Sequence, residues 1–317
     1  MHDPRQEHRP VTRSPSVGDR VRAAVQWPLP QHALSRLVLR VTHSRRRWLK
    51  SLLIRRIVAA YDVDLSEAAE PSPAAYASFN ELFTRPLAPG ARPLPDDATA
   101  VACPIDGAVS QAGTIEDGRV FQAKGREFSV DELLGGAPDR ALPFRGGSFA
   151  TLYLSPRDYH RIHMPVDGRL VETVHVPGRL FSVDERTTRA VPRLFARNER
   201  VAALFDSAAG PLAVVMVGAL FVSGIETVWQ GLITPPSSRW VRAWRHGDDG
   251  PSFARGDEIG RFNMGSTVIL LFGPGRVAWS PELVPEATVR MGRAIGNILP
   301  AGEGSGGSQR EPGKETR

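Results

Sequence analysis

Leu34, Leu37, Val38 and Val41 recur at the spacing of one helix face, with Arg36 and Arg40 on other faces. This predicts an amphipathic helix. A second helix is predicted from about Arg47 to Ala60, where Trp48, Leu49, Leu52, Leu53 and Ala60 share a side and Arg56 intrudes on it. From Val101 to Leu299 the pattern changes. Short apolar runs such as "SFATLYL", "LAVVMVGALFV" and "STVILLF" are separated by Gly, Pro and Asp, which predicts short strands joined by turns. The expected fold is α+β: a β-rich antiparallel core with short helices, preceded by N-terminal amphipathic helices.

The ends of the chain break this pattern. Residues 1–19 are polar and proline-bearing without an apolar run of the secretory kind, and are expected to be disordered. Residues 301–317, "AGEGSGGSQREPGKETR", form a low-complexity tail. Between them lie a basic helical segment with its linker, 20–75, and a main domain, 76–300. No apolar run approaches the ~18 residues that a spanning helix needs. The single cysteine, Cys103, allows no intrachain disulfide and no multi-cysteine metal site, and suits a small buried apolar position.

Charge singles out the helical segment. The chain is +6 overall, yet residues 20–61 hold ten Lys or Arg and no Asp or Glu. Such a block points to phosphates, of nucleic acid or of a lipid surface. It is equally compatible with a helical pair packed on its own domain with a solvated basic face.

Three sites in the main domain could carry chemistry. His160 and His163 in "SPRDYHRIHMPVDG" are spaced to share a side of a turn. No third ligand is obvious for a metal, whereas two imidazoles suit acid–base work or simply hydrogen-bond a loop. Asp106 in "CPIDGAVS" precedes Gly107, which fits an ordinary turn or a carboxylate that orients an imidazole. Ser266 follows Gly265 at the mouth of an apolar run, with no G-x-S-x-G elbow around it. A serine hydroxyl is a weak nucleophile until a base takes its proton. Its neighbouring carbonyl, that of Gly265, is reachable through a five-membered ring and is shielded by no Cβ.

The chain resembles the phosphatidylserine decarboxylases of the bacterial type. The resemblance runs from about Tyr76 to Leu299 and rests on "SFNELFTRPL", "CPIDGAVSQAG", "QAKGREFSVDELLGG", "TLYLSPRDYHRIHMPVDG", "VPGRLFSVDERTTRAVPRLFARNERV", "VGALFVSGIETVW" and "GRFNMGSTVILLF", in the family's order. It implies that Ser266 attacks the Gly265 carbonyl, cleaving the chain into β (1–265) and α (266–317) subunits held as a heterodimer, with a dimer of these as a further level. Residue 266 would become a covalent pyruvoyl cofactor that forms a Schiff base with the amine of phosphatidylserine, with no pyridoxal phosphate or metal. Phosphatidylethanolamine would be the product. The resemblance further implies that Asp106 orients His163, that His163 is the base towards Ser266, and that His160 donates a proton or contacts the substrate phosphate.

Two positions depart from the family pattern. Met264 stands where leucine is usual, an apolar swap of similar volume, and Ser223-Gly224 stands where Gly-Ser is expected. The basic segment then implies peripheral attachment to an anionic membrane surface on the cytoplasmic side, with no nucleic acid as partner. Three other readings remain: a pyruvoyl decarboxylase of a soluble amino acid, a serine hydrolase that uses Asp106, His163 and Ser266 without self-cleavage, and a non-enzymatic lipid- or nucleic-acid-binding module.

Overall fold

The computed structural model describes residues 14–123, 126–221, 224–235, 238–263 and 266–300. The expectations placed on 1–13, on the tail 301–317, and on Ser223, Met264 and Gly265 fall outside them. Among the described residues the core is a 9-stranded antiparallel sheet. Its spatial order is Arg242–Arg245, Gly168–Val176, Arg200–Ser207, Gly210–Val217, Thr267–Phe272, Ser148–Tyr153, Gly107–Thr114 and Thr288–Val289, with Ser252–Phe253 paired beside Gly168–Val176. A second sheet carries Gly231–Thr234, Ile225–Thr227, Glu258–Phe262 and Arg161–His163. The predicted α+β class with an antiparallel core is thus observed.

The run after Ser266 is apolar without alternation because its strand is covered on both faces. Val268, Leu270 and Phe272 pack into one core, and Ile269 and Leu271 into another on the opposite face. Residue 266 therefore stands at the mouth of the most enclosed strand of the large sheet. All six residues of that strand are buried.

Among the described residues three longer helices open the chain: α1 (Val17–Gln26), α2 (Gln31–Thr42) and α3 (Arg47–Tyr61). The last two match the predicted pair. Helix α1 lies partly within the stretch expected to be disordered, because Ser16 and Asp19 form a capping box. Asp19 N–H donates to Ser16 Oγ at 3.1 Å, and Ser16 N–H to Asp19 Oδ2 at 3.0 Å.

Helix α1 is amphipathic in an inverted sense. Its buried face is Asp19, Ala23 and Gln26, and its exposed face carries Val17 (79%), Val21 (57%) and Val25 (60%). The buried polar groups are matched to the body. Gln26 Oε1 accepts from Ser182 N–H at 2.8 Å, and Gln31 Oε1 at the start of α2 accepts from Leu180 N–H at 2.8 Å. On α3, Trp48 (65%) and Leu52 (40%) are exposed, whereas Ile54 is buried and Leu53 of the predicted side packs beside it, so that side faces outward only in part. Among the described residues no helix is long and apolar enough to cross a membrane.

Candidate active site

Register places the candidate residues at one end of the large sheet. Tyr153 pairs with Ala108 on one side and with Thr267 on the other. Asp106 and Ser266 therefore sit just beyond the ends of two strands that flank the same neighbour, about 10 Å apart at two strand spacings. Gly107 makes this end compact. It opens a strand instead of closing a turn, and a Cβ there would lie 2.1 Å from the Tyr153 carbonyl oxygen.

The loop that leaves Leu154 returns the histidines to the same end. Leu154 N–H donates to the Ser266 carbonyl at 2.9 Å, His163 N–H to the Pro104 carbonyl at 2.9 Å, and Phe262 N–H to the His160 carbonyl at 3.0 Å. Each histidine is thus tied to a segment that runs directly to Asp106 or to Ser266.

Ser266 is fully buried, and its hydroxyl has no hydrogen-bond partner among the described residues. Interior hydroxyls are normally paired, because stripping one of water without compensation costs about 1–3 kcal/mol. An orphaned nucleophile at a sheet end is a place to expect chemistry.

The two imidazoles differ in what holds them. His163 Nδ1 lies 2.7 Å from the Gly256 carbonyl, which can only accept, so Nδ1 carries the proton. Nε2 is then the acceptor for the Tyr159 hydroxyl at 2.9 Å. His160 Nδ1 is fixed in the same way by the Asp158 carbonyl at 2.8 Å, and its Nε2 is buried without a partner among the described residues. The His160 ring lies 3.9 Å, centroid to centroid, from that of Phe83. Burial pushes the His160 pKa down to about 3 and lowers that of His163, so both are neutral bases near pH 7.

Asp106 departs from the role expected of it. Its carboxylate accepts from Arg92 Nε at 3.1 Å and Nη2 at 2.5 Å, and from Met291 N–H at 2.8 Å. Arg92 is held in turn by Glu67 at 2.8 Å. Burial alone would lower the Arg92 pKa, but the bonds and charges of Asp106 and Glu67 outweigh it and raise the value. The hydrogen bond that orients His163 therefore comes from Gly256 and not from Asp106. Asp106 reaches His163 through space, as a negative charge favouring the imidazolium.

Several partners escaped the sequence: Tyr159, Gly256, Arg92 and the short helix α4 (Phe79–Phe83). Helix α4 lies across the site. Phe83 covers His160, the Thr84 carbonyl accepts from Arg161 Nε at 2.9 Å, and Asn80 Nδ2 donates to Asn263 Oδ1 at 2.8 Å. Its signal was the block "SFNELFTRPL", whose five helical residues are too few to show a period.

Comparison with known proteins gives this geometry its context. A family model described as phosphatidylserine decarboxylase matches residues 79–297, and a second, described as PSD, matches 21–62. A phosphatidylserine decarboxylase proenzyme of Ectopseudomonas mendocina is 55% identical over 275 residues, 86% of this chain and 96% of the relative. The proenzyme of that name from Methylococcus capsulatus is 53% identical, covering 87% and 96%. That of Bordetella pertussis is 54% identical over 288 residues, covering 89% and 95%. With a family model spanning the main domain and relatives of this identity along nearly their whole length, the chain belongs to the phosphatidylserine decarboxylase family.

Proposed function

We propose that this chain is a self-cleaving proenzyme that decarboxylates phosphatidylserine to phosphatidylethanolamine, with Ser266 as the source of its pyruvoyl group. The observation that carries the reading is the fully buried Ser266 hydroxyl, unpartnered among the described residues. It stands at the end of the large sheet to which the segments bearing Asp106, His160 and His163 are also tied, in a chain of this family.

In self-cleavage, Ser266 Oγ adds to the Gly265 carbonyl carbon and the Gly265–Ser266 C–N bond breaks. The nitrogen takes up the proton, and an ester joins Gly265 to Oγ. Loss of the α-proton of residue 266 breaks the Cβ–Oγ bond, leaving a Gly265 carboxylate and dehydroalanine. Water then adds and ammonia leaves, which gives pyruvoyl.

His163 takes the hydroxyl proton at Nε2, after the Tyr159 hydroxyl has moved aside or by way of it. The Gly256 carbonyl holds the ring in the tautomer this requires. Burial of Ser266 limits water access, so elimination can compete with hydrolysis of the ester. Residue 266 fits the group it would carry: conversion removes the orphaned hydroxyl, and Leu154 N–H already holds the residue's carbonyl. The pyruvoyl group supplies an electron sink as carbon dioxide leaves. His160, with Nδ1–H fixed and Nε2 buried without a partner among the described residues, would receive and return a proton during turnover. The two product chains stay together because Thr267–Phe272 is hydrogen-bonded between two strands of the other chain.

The same reading places the protein peripherally at an anionic membrane surface, on the cytoplasmic side. Support comes from α1 to α3, where exposed Val17, Val21, Val25, Trp48 and Leu52 stand among basic residues. A helix that buries Asp and Gln while exposing three valines wants an apolar medium on its outer side. Each Lys or Arg near anionic lipid contributes about 1 kcal/mol, fading within a Debye length.

Vesicles containing phosphatidylserine test the proposal. Wild type should bind them, release carbon dioxide and accumulate phosphatidylethanolamine; binding should weaken but persist at high salt. Replacing Arg45, Arg46 and Arg47 with Glu should reduce binding while self-cleavage stays complete. Unchanged phosphatidylserine would sink the activity, and unchanged low-salt binding of the triple variant would sink the docking surface.

A further inference from the structure

Among the described residues two arginines are fully buried with no carboxylate within 4.0 Å, and they are satisfied very differently. Arg200 donates from Nε to the Leu133 carbonyl at 2.7 Å and from Nη2 to the Glu132 carbonyl at 2.5 Å. Its Nη1 reaches the carbonyls of Ala196 at 2.8 Å and Asn198 at 2.7 Å. That ring of oxygens replaces a counter-ion, and Arg200 is a structural cross-link.

Arg85, 4% exposed, has only two long bonds. One runs to the Leu82 carbonyl at 3.5 Å and one to the Arg157 carbonyl at 3.3 Å, and its Nε has no partner among the described residues. Asp106, Asp158 and Asp64 act on Arg85 only through space, and burying a charge this poorly hydrogen-bonded is costly.

Its position says what would offset that cost. Arg85 follows α4 directly, two residues after the Phe83 ring that covers His160 and one after the Thr84 carbonyl bonded by Arg161. It also touches the loop 155–160 at Arg157. Arg92, whose partner Asp106 also acts on Arg85 through space, is already spent on Asp106 and Glu67. We propose that Arg85 binds the phosphodiester of the substrate headgroup beside His160, an inference that rests on the decarboxylase reading.

The headgroup offers two anions, and chemistry separates them. A cation paired with the carboxylate stabilises the ground state more than a transition state in which that charge is leaving, and so slows the reaction. The phosphodiester keeps its charge throughout, and the planar fork of a guanidinium matches its oxygens. His160 cannot serve instead. Its Nδ1–H is committed to Asp158 and its Nε2 is an acceptor, which repels a phosphate oxygen.

The test uses the processed full chain as wild type, Arg85→Gln and Arg85→Lys, with dihexanoyl phosphatidylserine. Arg85→Gln should raise KM about 10- to 100-fold, the worth of a charge-assisted hydrogen bond, with kcat within about threefold. Arg85→Lys keeps the charge without the fork and should fall between. A second readout needs no turnover. Glycerophosphoethanolamine, a phosphodiester without a carboxylate, should broaden in its phosphorus NMR line with wild type and not with Arg85→Gln. Hydroxypropionate, a carboxylate without phosphate, should inhibit all three proteins equally.

Unchanged KM and unchanged line broadening overturn the assignment. So does loss of hydroxypropionate inhibition with glycerophosphoethanolamine binding retained, which would put the carboxylate on Arg85. A fall in kcat alone would make Arg85 structural. If Arg85→Gln fails to accumulate, Arg85→Lys carries the same comparison. A wild type that leaves phosphatidylserine intact defeats the decarboxylase reading, while the phosphorus line still decides Arg85.

Discussion

Ser266→Ala should yield a single full-length chain with decarboxylase activity reduced at least about 1000-fold, the scale seen when a nucleophile is removed. Alanine has no Oγ to attack Gly265 and no leaving group on Cβ, so neither the ester nor dehydroalanine can form. The fold should survive, because the lost hydroxyl makes no hydrogen bond among the described residues. Removing an orphaned buried polar group should leave thermal stability equal or slightly higher. Ser266→Cys keeps a nucleophile and a leaving group and should retain partial processing. A denaturing gel and an activity assay on both variants check this, and a fully processed Ser266→Ala would contradict it.

His163→Ala should slow self-cleavage about 100- to 10,000-fold, the usual worth of a positioned general base. Asp106→Asn should slow it less, since Gly256 holds the imidazole and Asp106 acts on it only through space. The double variant should be no slower than His163→Ala alone, because one group works through the other. His160→Ala should process more readily than His163→Ala yet decarboxylate poorly. Cleavage half-times of the purified proenzymes decide the matter. Additive losses would mean that Asp106 acts on the reaction independently of His163.

Much of this was legible in the sequence. Helices α2 and α3 showed the 3.6-residue period, and the strand runs announced an antiparallel core. The apolar run after Ser266 announced a strand, and its packing shows why the run does not alternate: both faces are covered. Helix α1 was hidden because its packed face is polar: Gln26 and, at the start of α2, Gln31 are buried by hydrogen bonds that local pattern does not encode. Only the capping pair Ser16 and Asp19 betrayed it.

The candidate site was legible as a set of residues but not as a set of bonds. Gly256 lies 93 positions from His163, and Arg92 binds Asp106 from an unremarkable turn. Such pairings are decided by tertiary packing. The Asp–Gly dipeptide gave the wrong local signal for the same reason. Its glycine is required by the close approach of the Tyr153 carbonyl across the sheet, not by a turn.

The intact mass of the purified wild-type protein under denaturing conditions tests the central claim most directly. Two species are expected, 1–265 with a free glycine carboxylate and 266–317 with a pyruvoyl N-terminus that resists Edman degradation and reacts with hydrazines. One full-length species that still decarboxylates phosphatidylserine, or a 266–317 fragment beginning with a free serine amine, would contradict it.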